Sequence, residues 1–298
     1  MDNSHKYLDG RKVVAQLHTR ISKDVINLRQ QGFRLNLVSI SVGESEAAQL
    51  YVRNQKLIAD NLNIGFRDHV FDKNITLAEL ISIIDDLNSD PNITGIIIQR
   101  PVPAHIPIRT IQARVDPLKD VEGMHPHSIG NIVYNDLAMG PCTAIAALEL
   151  LKQTGLTLKG LEVTVIGHSE IVGKPFAFLL MSEGATVTVC HHMTRNVRIH
   201  SRSADAVIIA VGKPGLLTGD MIKPGAAVID IGINQVRAPD NTNKIVGDAD
   251  MDTCVDVAGW ITPVPGGVGP VTVAILMQNA VTATKLMSNQ GNLALQKS

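Results

Sequence analysis

Aromatic residues, net charge and cysteine pairs are scarce in this chain of 298 residues, and each scarcity excludes a class of protein. With five Phe, three Tyr and one Trp, the chain offers few rings on which single-stranded nucleic acid could stack. A formal net charge of −1 creates no global field that would attract nucleic acid or an anionic membrane. We therefore predict neither nucleic acid nor a membrane as a partner.

The three cysteines, Cys142, Cys190 and Cys254, are odd in number, far apart and without a CxxC pair. Disulfides and a structural zinc site are not expected from such a set, and we predict no metal site. Long apolar runs are missing too. No segment approaches the roughly 20 apolar residues of a membrane helix, and residues 1–10 have no apolar signal segment. These features predict reduced thiols in a cytoplasmic protein.

Hydrophobic residues make up 45% of the chain and charged residues 18%, which is enough apolar material for a packed core and too little charge for disorder. The length suggests two domains of ordinary size. In the first half, apolar segments with the periods of strands and helices alternate, which predicts parallel βαβ units. The predicted elements are strands at 35–42, 66–71 and 95–99 and helices at 44–61 and 77–87.

A second series of strands and helices follows residues 116–141, a segment rich in Pro, Gly, His and Asn that we predict to connect two domains. Short strands that end in Gly or a polar residue are typical of a doubly wound sheet. We predict an α/β fold with a first domain at 1–140, a second at 141–270, and a C-terminal segment, 271–298, that packs back onto the first. The further predicted elements are helices at 143–153, 171–182 and 271–287 and strands at 161–166, 185–190, 204–211 and 226–231.

The turn after the strand at 161–166 has features of a phosphate-binding loop. Gly167 would permit a tight turn close to a pyrophosphate, and Gly173 would let the next helix pack closely on the strand. The start of that helix offers free N–H groups and the positive end of its dipole to a phosphate. Because Ser169 stands at the middle glycine of the GxGxxG fingerprint, the pattern is weak by itself, and its place at the start of a βαβ series supports the prediction.

The second strand of this series ends in Cys190-His191-His192, where NAD-binding proteins place a carboxylate on the ribose. His168, His192 and Arg195 could instead face a 2′-phosphate, which favours NADP as the cofactor and leaves NAD possible. The alternative is that both of these histidines are solvated loop residues.

Polar side chains of the first half fall at positions where ligands often bind. Tyr51 and Gln55 are four residues apart and share a face of the predicted helix, whereas Lys56 is turned by roughly 100° from Gln55. Gln99 ends a buried strand, where open α/β sheets place ligand contacts, and Glu122 lies in the connecting segment. Taken singly, each residue also has a structural explanation, as part of the core or as solvated surface.

Together these stretches resemble the bifunctional methylenetetrahydrofolate dehydrogenase/methenyltetrahydrofolate cyclohydrolase family over nearly the whole chain. The most unusual motif is ITPVPGGVGPVT at 261–272. The resemblance implies two Rossmann-like domains with parallel sheets and a cleft between them, a cytoplasmic homodimer, and a role in one-carbon metabolism and purine biosynthesis. The other motifs are GIIIQRPVP (95–103), KDVEGMHP (119–126), PCT (141–143), GHSEIVGKP (167–175), TVTVCH (186–191), KPGAAVIDIGIN (223–234) and VGDAD (246–250).

Members of this family oxidise 5,10-methylenetetrahydrofolate with NAD(P)⁺ to the methenyl cation and then hydrolyse the cation to 10-formyltetrahydrofolate. The resemblance therefore implies tetrahydrofolate one-carbon derivatives as substrates. It also implies that Tyr51 stacks on the folate and that Gln99 forms a hydrogen bond near the reacting centre. The other implied positions are Pro101, Glu122, Pro265, Gly266 and Gly267 for the folate and Gly167, His168, Ser169, His192 and Ile233 for the cofactor.

The chain departs from the family's usual pattern at its candidate sites. The family usually has lysine at Gln55, aspartate at Glu122, and arginine and serine at His168 and His192. Gln55 can form hydrogen bonds but cannot relay a proton at neutral pH. Hydrolysis needs proton transfer, whereas hydride transfer needs mainly the alignment of the reactants. We therefore predict an NAD(P)-dependent dehydrogenase with weakened cyclohydrolase activity.

Three alternatives stay open at the level of the sequence. A fully bifunctional enzyme would need another residue, such as Lys56, in the role of the missing lysine. A non-catalytic folate- or NADP-binding paralogue would account for two departures in one site, Gln55 and Glu122, although the cofactor glycines and Gln99 are intact. A dehydrogenase of another small substrate is disfavoured by the motif at 261–272.

Overall fold

The computed structural model describes residues 3–43, 45–237 and 241–291. The first residue of the predicted helix 44–61 and the end of the predicted segment 271–298 lie outside these residues. The chain divides into two compact units. Unit 1 comprises Met1–Ala15 and Pro141–Thr272, and unit 2 comprises Gln16–Gly140 and Val273–Ser298.

Unit 2 contains a three-stranded parallel sheet among its described residues, with the strand order β2-β1-β3. In the central strand, consecutive residues on both faces are fully buried, as expected of a strand that is covered on both sides. They are Leu37, Val38, Ser39 and Ile40. The strands and helices predicted for this half are confirmed. They are β1 (Asn36–Val42), α2 (Glu46–Asn61), β2 (Gly65–Phe71), α3 (Leu77–Ser89) and β3 (Gly95–Ile98).

Helix α3 begins at a capping box, which fixes where the chain turns from loop to helix. The Thr76 hydroxyl accepts a hydrogen bond from the Glu79 N–H at 3.2 Å, and the Glu79 carboxylate accepts one from the Thr76 N–H at 2.9 Å. Two otherwise unpaired donors of the first turn are thereby satisfied. The helix then buries Leu80 and Ile84 against the sheet.

Three helices of the first half were not predicted, and one of them corrects the reading of residues 116–141 as a continuous connection. That segment contains α5, which starts with Pro126 at its first position and His125 as its cap. The fixed φ of proline suits the first turn of a helix, so the proline that suggested a loop in fact begins a helix. The unpredicted helices are α1 (Gly10–Gln30), α4 (Ile108–Gln112) and α5 (Pro126–Val133).

Unit 1 contains a five-stranded parallel sheet with the order β10-β7-β6-β4-β5. The chain builds outward from β4 in both directions, so the predicted doubly wound sheet is confirmed. The short helices α8 and α9, the short strand β10 and a hairpin, β8-β9, were not predicted. The elements are α6 (Cys142–Lys152), β4 (Glu162–Ile166), α7 (Gly173–Ser182), β5 (Thr186–Cys190), α8 (Val197–Ser201), β6 (Ala206–Ile209), β7 (Ala227–Asp230), β8 (Asn234–Arg237), β9 (Asn243–Val246), α9 (Met251–Val257) and β10 (Trp260–Ile261).

The last helix, α10 (Val268–Asn289), enters unit 2 from Val273 onward. Its Asn279 side-chain amide donates hydrogen bonds to the carbonyls of Val121 at 2.8 Å and Gly140 at 3.0 Å. These contacts confirm that the C-terminal helix packs onto the first domain. Among the described residues, no helix is both long and apolar enough to span a bilayer.

The Asn279 amide provides a test of how α10 stabilises unit 2. We expect Asn279→Ala to lower the free energy of unfolding by about 2–3 kcal/mol, because two buried carbonyls lose their donor. The exposed Asn289 of the same helix is the matched control, and its alanine variant should change stability by less than about 0.5 kcal/mol. Calorimetric unfolding of both variants measures the difference, and equal effects would contradict this role for Asn279.

Candidate functional sites

In unit 2, two glutamines meet at the carboxyl end of the sheet. Gln55 on α2 is 1% exposed and Gln99, directly after β3, is 5% exposed. The Gln99 amide nitrogen donates to the Gln55 side-chain oxygen at 2.7 Å and to the Ser39 hydroxyl at 3.1 Å. Buried polar groups are costly unless they are paired, so this network fixes both side chains in one orientation.

The neighbours of Gln55 on α2 are placed as the helical period requires. Tyr51, one turn earlier, is 38% exposed and so presents part of its ring to a ligand or to solvent. Lys56 is exposed, whereas Gln55 is buried. Because α2 is a regular helix from Glu46 to Asn61, Lys56 lies on a different face from the glutamine pair.

Asp120 organises the chain that follows the sheet. Its carboxylate accepts hydrogen bonds from the N–H groups of Met124 at 3.1 Å and His125 at 2.7 Å, and from the Ser128 hydroxyl at 2.7 Å. All three donors lie at or next to the start of α5. Asp120 therefore positions the loop that carries Glu122.

Glu122 places a carboxylate close to Gln99. One of its oxygens accepts a hydrogen bond from the N–H of Ile98 at 2.8 Å, at the end of β3. Burial raises the pKa of Glu122 to about 7, the Ile98 N–H and the Arg100 charge oppose the rise, and the Asp120 charge adds to it. The residue keeps partial access to solvent, so this carboxyl can bind or release a proton near neutral pH. Pro101, two residues after Gln99, is exposed, and the Arg100–Pro101 peptide bond is cis.

In unit 1, the turn after β4 can be formed only by glycine at two positions. Gly167 has a φ of +118°, and a Cβ atom there would lie 2.3 Å from the Ala210 carbonyl oxygen. A Cβ atom on Gly173 would lie 2.1 Å from the Gly167 carbonyl oxygen. The backbone therefore packs too closely at both positions for any side chain.

The start of α7 differs from the sequence-based expectation of free N–H groups. The Ser169 hydroxyl accepts from the N–H of Val172 at 3.2 Å and of Gly173 at 3.4 Å. The Ser169 hydroxyl thus pairs the N–H of Gly173, the first residue of α7, which a glycine at position 169 could not do. A phosphate at this turn would share or replace these long hydrogen bonds.

Three histidines, His168, His191 and His192, form a cluster at the ends of β4 and β5. The ring centroids of His168 and His191 are 4.7 Å apart, and those of His168 and His192 are 5.9 Å apart with the rings stacked. His168 and His192 were predicted to lie at the cofactor, whereas no role was predicted for His191. Strand pairing of Ile166 with Cys190 brings the three together.

Two buried aspartates that sequence reasoning missed hold the remaining loops of unit 1. Asp248 accepts from the N–H groups of Val211 at 2.6 Å, Gly212 at 3.0 Å and Lys213 at 2.8 Å. Asp230, at the end of β7, accepts from the N–H groups of Gly232, Asp248 and Ala249 at 2.8–3.0 Å. Burial raises the pKa of Asp230 to about 6, against the effect of these N–H donors.

Glycines close to Asp230 and Asp248 in the sequence could have revealed this pair. A Cβ atom on Gly232 would lie 2.2 Å from the Asp248 carboxyl carbon, and one on Gly247 would lie 1.9 Å from an Asp230 oxygen. Each aspartate therefore needs a glycine opposite it, and the DIG and GDAD segments contain both. The loop that they shape carries Ile233, which is 69% exposed and available to a ligand.

The PVPGG segment is also ordered within unit 1. The Val264–Pro265 peptide is cis, and Gly266 has a φ of +111°. The Gly267 N–H donates to the Pro263 carbonyl at 2.8 Å, and the Gly266 carbonyl accepts from the Gly10 N–H at 3.0 Å. The predicted folate positions thus divide between the units: Pro265, Gly266 and Gly267 lie in unit 1 and Tyr51, Gln99, Pro101 and Glu122 lie in unit 2.

The doubly wound sheet of unit 1, with a glycine turn after its first strand, defines a dinucleotide-binding α/β protein. Two family profiles match the chain: the tetrahydrofolate dehydrogenase/cyclohydrolase catalytic domain over residues 8–122, and the NAD(P)-binding domain of the same name over residues 141–288. The chain belongs to the tetrahydrofolate dehydrogenase/cyclohydrolase family.

Similar proteins share most of their length with this chain. Bifunctional protein FolD 2 of Mesorhizobium japonicum is 60% identical over 283 residues, which cover 95% of this chain and 92% of that protein. Bifunctional protein FolD of Bacillus subtilis is 40% identical, covering 93% and 97%. The FolD crystal structure from Campylobacter jejuni has a TM-score of 0.89 at 37% identity, covering 94% and 98%. The Trypanosoma brucei FolD structure, complexed with NADP cofactor and inhibitor, has a TM-score of 0.90 at 36% identity, covering 95% and 98%.

Because its pKa is raised, Glu122 makes the free energy of unfolding depend on pH. The native state binds this proton more tightly than the unfolded chain, so between the ordinary pKa of 4.5 and about 7 the carboxyl's contribution to stability falls as pH rises. Glu122→Gln removes this dependence. We expect the Tm of Glu122→Gln, relative to the unsubstituted protein, to increase from pH 4.5 to 7.5.

Glu79 is the matched control in the same unit. Hydrogen bonds from the Thr76 backbone and hydroxyl lower the pKa of Glu79, so its contribution is present above the ordinary value and is lost as pH falls. The relative Tm of Glu79→Gln should therefore decrease as pH rises from acid to neutral. Thermal unfolding across this pH range compares the two, and curves of the same sign would contradict the assignment for Glu122.

Proposed function

We propose that this protein oxidises 5,10-methylenetetrahydrofolate to 5,10-methenyltetrahydrofolate with NADP⁺, and that its hydrolysis of the product to 10-formyltetrahydrofolate is slow. Membership of the family and the relatives named bifunctional protein FolD support the pair of activities. The observation that carries the specific form of the proposal is the buried hydrogen bond between Gln55 and Gln99. It places a neutral amide where the family has an amine.

Unit 1 is the proposed dinucleotide-binding domain. Its residues fit a dinucleotide, because Gly167 and Gly173 form a tight turn that only glycine allows, and this turn leads into α7, whose N-terminal end can attract a phosphate. His168 and His192 would face the 2′-phosphate of NADP, and Ile233 would contact the nicotinamide side of the site. Histidine lacks the permanent charge and the bidentate donors of arginine, so we expect NAD to be used as well. When bound, the nicotinamide accepts the hydride.

Unit 2 is the proposed folate-binding domain. Tyr51 would stack on the folate ring system, with Pro101 as a further contact. The Glu122 carboxylate offers two acceptor oxygens, which suit the adjacent N–H and amino donors of a pterin. Oxidation breaks a C–H bond at the one-carbon unit and leaves a cation stabilised by two folate nitrogens. The protein's task in this step is alignment, which the fixed Gln55–Gln99 pair can still provide.

Hydrolysis makes a different demand on the same residues. Water adds to the methenyl carbon, one C–N bond breaks, and protons must leave the water and reach the nitrogen. A positioned group that titrates near neutral pH accelerates such transfers. Gln55 does not titrate, and Lys56 is exposed on another face of α2. Glu122 titrates near neutral pH, but its carboxylate is assigned above to the pterin donors and not to the attacking water. We therefore infer that this step is slow. We also propose a cytoplasmic location and a homodimer. Size-exclusion chromatography with light scattering tests the homodimer.

Absorbance during incubation with 5,10-methylenetetrahydrofolate tests the proposed reaction. With NADP⁺, we expect reduced cofactor to form while the methenyl product accumulates, since hydrolysis lags behind oxidation. A parallel reaction with NAD⁺ measures cofactor preference. Failure to reduce either dinucleotide would contradict the dehydrogenase and favour a non-catalytic folate-binding protein, and a methenyl product that never accumulates would contradict slow hydrolysis.

Restoring the amine tests the role of Gln55. In Gln55→Lys, the Gln99 amide can turn its oxygen toward the new amine, and burial will lower the pKa of that amine toward a catalytic range. We expect hydrolysis of methenyltetrahydrofolate to rise by about 100-fold or more, with a much smaller change in dehydrogenase rate. Lys56→Met is the control and should alter neither activity. A loss of hydrolysis in Lys56→Met would instead assign the proton transfer to Lys56.

A further inference from the structure

We propose that His168, His191 and His192 bind a divalent transition-metal ion of the zinc or nickel class. One potential ligand atom from each of the three side chains lies within 4.8 Å of those of the other two. This proposal departs from the prediction of no metal site, which rested on the cysteines and did not consider histidines that the fold brings together.

The sheet determines why these side chains meet. Strands β4 and β5 are adjacent and parallel, and Ile166 pairs with Cys190 at their carboxyl ends. The Gly167 N–H also donates to the Cys190 carbonyl at 2.8 Å, so the two chains leave the sheet side by side. His168 then follows one strand and His191 and His192 follow the other. A site built on strand ends is held more precisely than one built within a single long loop.

The separations are close to those of a metal site. Zinc–nitrogen bonds of about 2.0–2.1 Å in a tetrahedron place the ligand nitrogens roughly 3.4 Å apart. The ligand atoms here lie within 4.8 Å of one another, so side-chain rotations that bring them about 1–1.5 Å closer complete the set. The ring centroids of His191 and His192 are 5.9 Å apart.

One existing hydrogen bond bears on the coordination of His191. Its Nδ1 atom accepts from the Met193 N–H at 3.2 Å, and Met193 is 74% exposed. Coordination through Nδ1 would free this N–H for water, whereas coordination through Nε2 would require the proton to move to Nδ1 and the same bond to open. The cost is one long hydrogen bond at the surface, which is small beside three metal–nitrogen bonds.

The donor set selects the class of metal. Three imidazoles suit zinc, nickel, copper and cobalt, whereas magnesium and calcium prefer oxygen ligands. Three histidines also leave a fourth position open for water or a phosphate oxygen. The adjacent Cys190 is fully buried and does not join the set.

A metal bound by this cluster would affect the binding of NADP. This consequence rests on the proposed function. His168 and His192 are the side chains assigned to the adenosine end of NADP. A metal held by both of them withdraws the same nitrogens from the nucleotide. We therefore expect the metal and NADP to compete.

The metal site is tested first without any nucleotide. Untagged protein, freed of metal with chelator, is titrated calorimetrically with Zn²⁺, and Co²⁺ is added separately to record its visible absorption. We expect one ion per chain, with affinity at least tenfold weaker in His168→Ala and in His192→Ala. His127→Ala is the matched control, because His127 is exposed and lies in unit 2. Emission of Trp260 and thermal unfolding verify that each variant is folded.

The outcomes separate the two claims. Zinc binding that is absent, or unchanged in both His168→Ala and His192→Ala, overturns the metal site whatever the enzyme's activity. NADP binding measured with and without Zn²⁺ tests the competition. Zinc binding that requires the histidines but leaves NADP affinity unchanged supports the metal site and overturns the placement of the nucleotide at these side chains.

Discussion

Buried carboxylates that accept backbone N–H groups hold the loops on which both candidate sites depend. Parallel strands end at one edge of a sheet, and the loops that follow carry N–H groups that no strand can satisfy. Asp248 and Asp230 collect six such groups in unit 1, and Asp120 collects two in unit 2. Hydrogen bonds to an ionised acceptor are stronger than neutral ones, so a few side chains fix long stretches of irregular backbone.

Within this frame, the chemistry of the folate site depends on which groups can titrate. The glutamine pair is buried, mutually satisfied and neutral. Burial raises the pKa of Glu122 to about 7. The group able to exchange a proton near neutral pH is therefore the Glu122 carboxyl, which is hydrogen-bonded to the end of β3. The lysine that remains on α2 is turned away to solvent. The site therefore retains the means of orienting a substrate while its usual amine is replaced.

Much of the α/β framework followed from the sequence, because several buried strands contain short apolar runs, such as Ile96–Ile98 in β3, and Thr76 marks the start of α3. The missed elements had weaker signals. The hairpin β8-β9 and the two-residue β10 are short, and α5 begins within a Pro- and His-rich segment that is typical of loops. Helix α1 contains many polar and charged residues. The apolar residues of its buried face, such as Ile21 and Val25, therefore give only a weak helical pattern in the sequence.

The sequence by itself determined the family, the two parallel sheets and the replacement of the family's lysine by Gln55, because each of these is written in local patterns and in residue identity. Tertiary structure decided which side chains meet. Gln55 and Gln99 are 44 positions apart, and their hydrogen bond exists because α2 packs beside the end of β3. His168 joins His191 and His192 because β4 and β5 are neighbours. The pairing order of strands is a non-local property of the whole chain, and no local pattern specifies it.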